Sequence, residues 1–184
     1  TSGGSSSFPD NARNLSNWYG FSDFDVRNRL VINGIWELPF GKGKQFFQNG
    51  VAAAILGGWD ITGSLNTRSG RPFTVNQSGD PLRLGSLTTT LADLTGNPTL
   101  ANPNVDGWFE RTAFQPLTGT TTRFGIQPRN SLRGPNFTSL DLAVHRRFDL
   151  WNENTKLEFR WELFNALNQA NFGLPNRTVN GGGF

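Results

Sequence analysis

Twice between Thr138 and Asn168 the chain alternates apolar and polar residues for the length of a strand, with only a short polar turn between. In the first stretch Leu140, Leu142 and Val144 fall on one side and Asp141, Ala143, His145 and Arg147 on the other. In the second, Leu157, Phe159, Trp161 and Leu163 oppose Lys156, Glu158, Arg160 and Glu162. Successive strand side chains point to opposite faces, so period-two alternation specifies a strand with one apolar and one polar face. Here the apolar face is bulky and the polar face is heavily charged. Such a sheet is half of a sandwich, or the wall of a membrane barrel with a wet interior. If Phe148 faces Leu157 across the turn, Arg147 faces Glu158 and His145 faces Arg160.

Two earlier stretches carry the same signal. A strand is predicted over about 25–38, with Val26, Leu30, Ile32, Trp36 and Leu38 sharing a face. The PFGKGK segment at 39–44 ends it, since Pro cannot donate to a ladder and Gly relaxes the backbone. A short apolar run at 51–56 reads as a helical turn. A second strand is predicted over about 58–75, and the third and fourth over about 138–148 and 156–168. The stretch 76–136 has Pro, Gly, Thr and Asn throughout and no sustained period. A structureless loop of that length counts against a compact soluble domain. Long loops on one side and short turns on the other are expected in outer-membrane barrels. Residues 1–24 and 177–184 then read as remnants of loops on the long, extracellular side, flanking a partial barrel over 25–176.

Composition narrows the class. The 22 Gly and 10 Pro demand many turns, which favours an all-β chain of antiparallel strands with large loops. There is no Cys, which removes disulfides, thiol catalysis and Cys-based zinc sites together. There is no Met either, so a chain starting at Thr1 is expected to be a piece of something longer. No apolar run reaches the length of about 18 residues that a transmembrane helix needs, but barrel strands evade that test. The basic residues are dispersed along the chain, against a nucleic-acid partner.

Trp36, Trp59 and Trp151 all fall beside the short connections, with Phe40 and Phe148 close by. Aromatic residues gathered at one rim are expected of a membrane-interface girdle. The three lysines, Lys42, Lys44 and Lys156, sit at the same side. The opposite parity gives a lumen-facing polar wall: Arg27, Arg29, Glu37, Asp60 and Arg68 from the first two strands. From the hairpin it takes Asp141, His145, Arg147, Glu158, Arg160 and Glu162, while Leu142, Phe159 and Trp161 turn to lipid. Four strands cannot close a barrel, for which about eight are the minimum, so an incomplete segment is expected.

No motif points to catalysis. GKGK at 41–44 lacks the leading Gly and the following Ser or Thr of a phosphate loop. Glu158 and Glu162 flank Arg160 on one strand face, an arrangement that suits a salt-bridged ladder better than a carboxylate pair. His145 is the only histidine and has no Cys or second His to help hold a metal. The four Asn-X-Ser/Thr sequons, at Asn14, Asn76, Asn136 and Asn176, are what chance gives in so Asn-rich a chain. No enzyme activity, cofactor or metal is expected. By its length and aromatic content the 76–136 loop is the place for ligand contact, with Trp108, Phe109, Arg111, Phe114 and Arg123 as candidates.

Several segments together resemble a known family. They are DVRNRLVINGIWELPFGKGKQF, LGGWDITGSLNTRSGRPFTV, WFERTAFQP, RNSLRGPNFTSLDLAVHRRFDL and LEFRWELFNALNQANFGLPN. In order and spacing they are similar to the C-terminal barrel region of TonB-dependent receptors, most of all the Oar-like group with a carboxypeptidase-regulatory-like domain. The resemblance implies a bacterial outer-membrane barrel of about 22 strands, with a plug domain and remaining strands outside this chain. It implies energy-coupled import of a scarce small-molecule, glycan or peptide ligand, driven by the TonB complex through a missing N-terminal part. The final barrel strand is also expected to lie outside this chain, and a single Tyr departs from the family's usual abundance. A soluble β-sandwich that binds glycans and a non-transporting surface protein or adhesin are the alternatives.

Overall fold

The structure, a computed structural model, describes residues 9–85, 89–149 and 155–181. In chain order its elements are β1 (Arg29–Glu37), α1 (Gly50–Leu56), β2 (Trp59–Arg68), β3 (Pro72–Phe73), β4 (Asn76–Ser78), β5 (Thr89–Leu91) and β6 (Asp93–Leu94). These are followed by β7 (Phe114–Gln115), β8 (Leu132–Arg133), β9 (Phe137–Asp149) and β10 (Lys156–Leu163). They form two compact units. One holds residues 28–69 and 137–171, the other 1–27, 70–136 and 172–184.

The first unit is an antiparallel sheet in the order β1-β2-β9-β10. Its four strands have nine, ten, thirteen and eight residues, near the 9–11 that a tilted strand needs to cross a bilayer. The register keeps the parity of every strand aligned. Trp36, Ile61, Val144 and Trp161 form one row, and Glu37, Asp60, His145 and Arg160 the next. Leu157 faces Phe148 and Glu158 faces Arg147, the pairing expected from the hairpin's alternation. One face therefore collects Leu30, Ile32, Trp36, Trp59, Phe159 and Trp161, all but Trp59 exposed, while the other collects the charges. The sheet is open, with β1 and β10 at its edges, as an incomplete barrel would be.

Three strand ends differ from the sequence expectation. β1 begins at Arg29 rather than near residue 25, because Asp25 and Arg27 belong to the other unit, where Asp25 pairs with Arg133 and Arg27 lies over the Phe21 ring. β2 stops at Arg68 rather than near 75. Gly70 follows, and a Cβ there would stand 1.8 Å from Gly134 O, so the backbones of the two segments approach as only glycine allows. β10 ends at Leu163 because Asn165 and Asn168 take left-handed φ values of 50° and 49°. Asn165 N donates to Asp141 Oδ1 (2.8 Å) and Asn165 Oδ1 accepts from Gln169 N, a local turn that replaces the ladder.

The second unit is what the sequence presents as an aperiodic loop. It has a core of its own, built from Phe73, Val75, Ala92, Phe109, Ala113 and Phe114. Three two-stranded antiparallel sheets of two or three residues per strand, β3-β8, β4-β5 and β6-β7, frame it. Buried amides take the place of longer ladders. Gln77 pairs with both backbone groups of Leu117, donating to its O and accepting from its N. Asn130, at φ 54°, exchanges hydrogen bonds with Thr74 and donates to Phe21 O and Asp23 Oδ1 at 2.7 Å. The described parts of the terminal segments, expected as loop remnants, are part of this unit. Asp10 accepts from Trp18 Nε1 and Leu91 N, and Val179 N donates to Asn76 O.

Candidate functional site

Of the five loop residues expected to contact ligand, the structure separates two from the rest. Phe109 and Phe114 are buried in the core, their rings edge to face at 5.5 Å, with Phe73 5.8 Å from Phe109. Neither can meet a ligand directly; they support the unit. Arg123 is turned to Asp93, making two hydrogen bonds of 2.7 Å that hold its guanidinium above its ordinary pKa. Asp93 Oδ1 also accepts from Ile126 N, so this pair braces the loop that carries Arg123. Arg111 opens a short 3-10 turn whose N-cap is Glu110. Thr112 donates to that carboxylate through Oγ1 (2.7 Å) and N (3.1 Å), which holds Glu110 below the usual glutamate value.

Trp108 is the candidate that lines a cavity. The space measures about 440 Å³ and is walled by Trp108, Phe172, Val105, Leu174 and the rings of Pro103 and Pro135. Small-molecule sites fall in this size range and are lined mostly by apolar side chains. The indole is fixed by its Nε1 donating to Arg133 O at 2.7 Å. Asn104 Oδ1 accepts from Asp106 N and Gly107 N, both at 2.9 Å, and this turn leaves Val105 exposed at the cavity's wall. Among the described residues no charged side chain lines the space. Phe172 and Leu174 were not legible as site residues, since they come from the far end of the sequence.

The expected polar wall forms on one sheet face, except for Arg27, which precedes β1 and lies in the other unit. Glu158 is its centre, with Oε1 3.5 Å from His145 Nδ1 and Oε2 3.6 Å from Arg147 Nε. Arg160 pairs with Glu162 along β10, and Glu37 with Lys44 of the connector. Arg68 stacks over Phe137, 5.0 Å from its centroid, with Arg29 opposite it in β1. Asp141 accepts from Ser139 Oγ and from Asn165 N. Among the described residues no cluster of metal-ligating side chains occurs.

On the apolar face, Trp36, Trp59 and Phe148 stand where a girdle was expected, and Phe40 packs against Phe46 and Phe47 in the connector. Trp151 lies outside the described residues. Trp161 shares the row of Trp36, and Phe159 meets Trp59 edge to face at 5.9 Å. Among the described residues of this face one is charged. Arg146 lies over Phe148 (4.3 Å) and Trp59 (5.3 Å) and donates to Ala54 O and Ile55 O of α1. Its parity with Val144 and Phe148 was the signal that could have placed it there.

No described helix is long and apolar enough to cross a membrane. A family model described as an outer membrane beta barrel domain matches residues 1–184. Comparison with curated proteins and with solved structures gives no match.

Proposed function

This chain belongs to the outer membrane beta-barrel domain family, and on that premise we propose that it is part of a TonB-dependent receptor that imports a scarce ligand. The protein is located in the bacterial outer membrane, and in the proposed reading its apolar sheet face is toward lipid. In the proposed reading the charged face lines the lumen, and the unit built from 70–136 is extracellular and meets the ligand. The observation that carries ligand contact is the apolar cavity fixed around Trp108. Energy coupling rests on the resemblance of the strand and loop segments to the barrel region of these receptors. A plug domain, the remaining strands and the TonB complex complete the transporter, and no catalytic step is assigned to it.

The test is binding of the whole protein to the periplasmic domain of TonB. Saturable binding that is lost on deleting the N-terminal coupling segment is expected. A whole protein with no such binding is a non-transporting surface barrel, and the transport reading fails.

A further inference from the structure

The connector between β1 and β2 displays apolar side chains of its own. Its residues 38–58 include Lys42 and Lys44 and no Asp or Glu. Phe46, Phe47 and Leu56 are exposed, and Val51 and Ile55 of α1 are 75% and 59% exposed. A short helix displaying large apolar residues to water is unfavourable, and a bilayer boundary removes that cost. The same boundary penalises unpaired backbone carbonyls at the helix end. Here three of them are provided for. Ala53 O accepts from Gly57 N, Ala54 O from Arg146, and Ile55 O from both Arg146 (2.7 Å) and Trp59 Nε1 (3.0 Å). The side-chain donors, Arg146 and Trp59, belong to the sheet's apolar face, so α1 is joined to that face.

We propose that this connector lies in the plane of the membrane at the short-connection end of the barrel, with Val51, Ile55 and Phe47 among the acyl chains and Lys42 toward anionic phospholipid headgroups. The inference rests on the barrel reading above and adds a second lipid contact to it. Arg146 makes the geometry tolerable: a cation on a lipid face is costly unless it sits near the interface or is fully paired, and this one is stacked on two rings and bonded to two carbonyls.

Because the chain has no cysteine, single spin labels are clean probes of depth. Labels are placed by Val51→Cys, Ile55→Cys and Ile32→Cys in the whole barrel protein, with any cysteines outside this chain replaced. The protein is reconstituted in vesicles of phosphatidylethanolamine and phosphatidylglycerol. Labels at 51 and 55 are expected to collide with oxygen and be shielded from a water-soluble nickel complex. Adding Lys42→Glu is expected to move the label at 51 toward water, and an unchanged depth overturns the headgroup contact. If 51 and 55 meet the nickel complex freely while 32 is shielded, the anchor is wrong and the barrel stands. If 32 is also open to nickel, the barrel reading fails with it.

Discussion

The Arg146 guanidinium lies 5.3 Å over the Trp59 ring, and the two side chains donate to the same carbonyl, that of Ile55. This converts a cation on an apolar face into a link between sheet and connector. Arg146→Ala removes two hydrogen bonds and two cation–π contacts, and it takes the Arg146 donor from Ala54 O while Ile55 O keeps Trp59 Nε1. A loss of about 1–3 kcal/mol is expected in urea unfolding of the vesicle-inserted barrel. Arg146→Lys is expected to recover little, because an ammonium cannot stack and fork at once. An unchanged midpoint for Arg146→Ala would show that the link is not formed in the membrane.

Gly57 and Gly41 close the connector by backbone contact. A Cβ at Gly57 would stand 2.8 Å from Gly41 Cα, and Gly41 itself has φ 104°. Gly57→Ala is expected to cost about 1–3 kcal/mol, since backbone must move. Gly43 has φ 76° but open space around it, so Gly43→Ala carries only the left-handed strain, about 1 kcal/mol. Unfolding midpoints in which Gly43→Ala is the worse of the two would contradict this arrangement.

The sheet was legible because a half-apolar strand has a simple period, and parity alone puts Trp36, Ile61, Val144 and Trp161 in one row. Its ends were not, because β2 stops where Gly70 meets Gly134, residues more than sixty positions apart in sequence with no local mark. The second unit was illegible for a different reason. Its backbone is satisfied by Gln77, Asn130 and Asp10 side chains rather than by long ladders, and such bonds leave no repeat. Aromatic content singled out Trp108, Phe109 and Phe114 alike, since sequence cannot tell a ring that fills a core from one that walls a cavity.

That distinction gives opposite phenotypes to neighbouring residues. Phe109→Ala empties a core position between Phe73 and Phe114 and is expected to cost the second unit about 3–5 kcal/mol. The readout is protease resistance of the 70–136 segment, which should fall sharply. Trp108→Phe keeps the cavity wall while giving up the bond to Arg133 O, and is expected to leave that resistance nearly intact. On the proposed import function, its effect should appear in growth on the nutrient taken up by the whole protein. Equal protease sensitivity in both variants would place Trp108 in the core with Phe109.

Glu110 supplies a pH dependence with a definite sign. Thr112 Oγ1 and N donate to its carboxylate, so its folded pKa lies below the ordinary value of 4.5. A depressed carboxylate stabilises the folded form above the unfolded value, and the contribution disappears as pH falls through the folded one. The site is exposed, so the effect is local: the 3-10 turn over Arg111–Ala113 loosens before the unit opens. Hydrogen exchange at the Thr112 amide, corrected for intrinsic rate, is expected to accelerate as pH drops below 4.5 in the wild type. Glu110→Gln cannot titrate, so it should show faster exchange at neutral pH and no such acid step. An acid step of equal size in both proteins would assign it to another group.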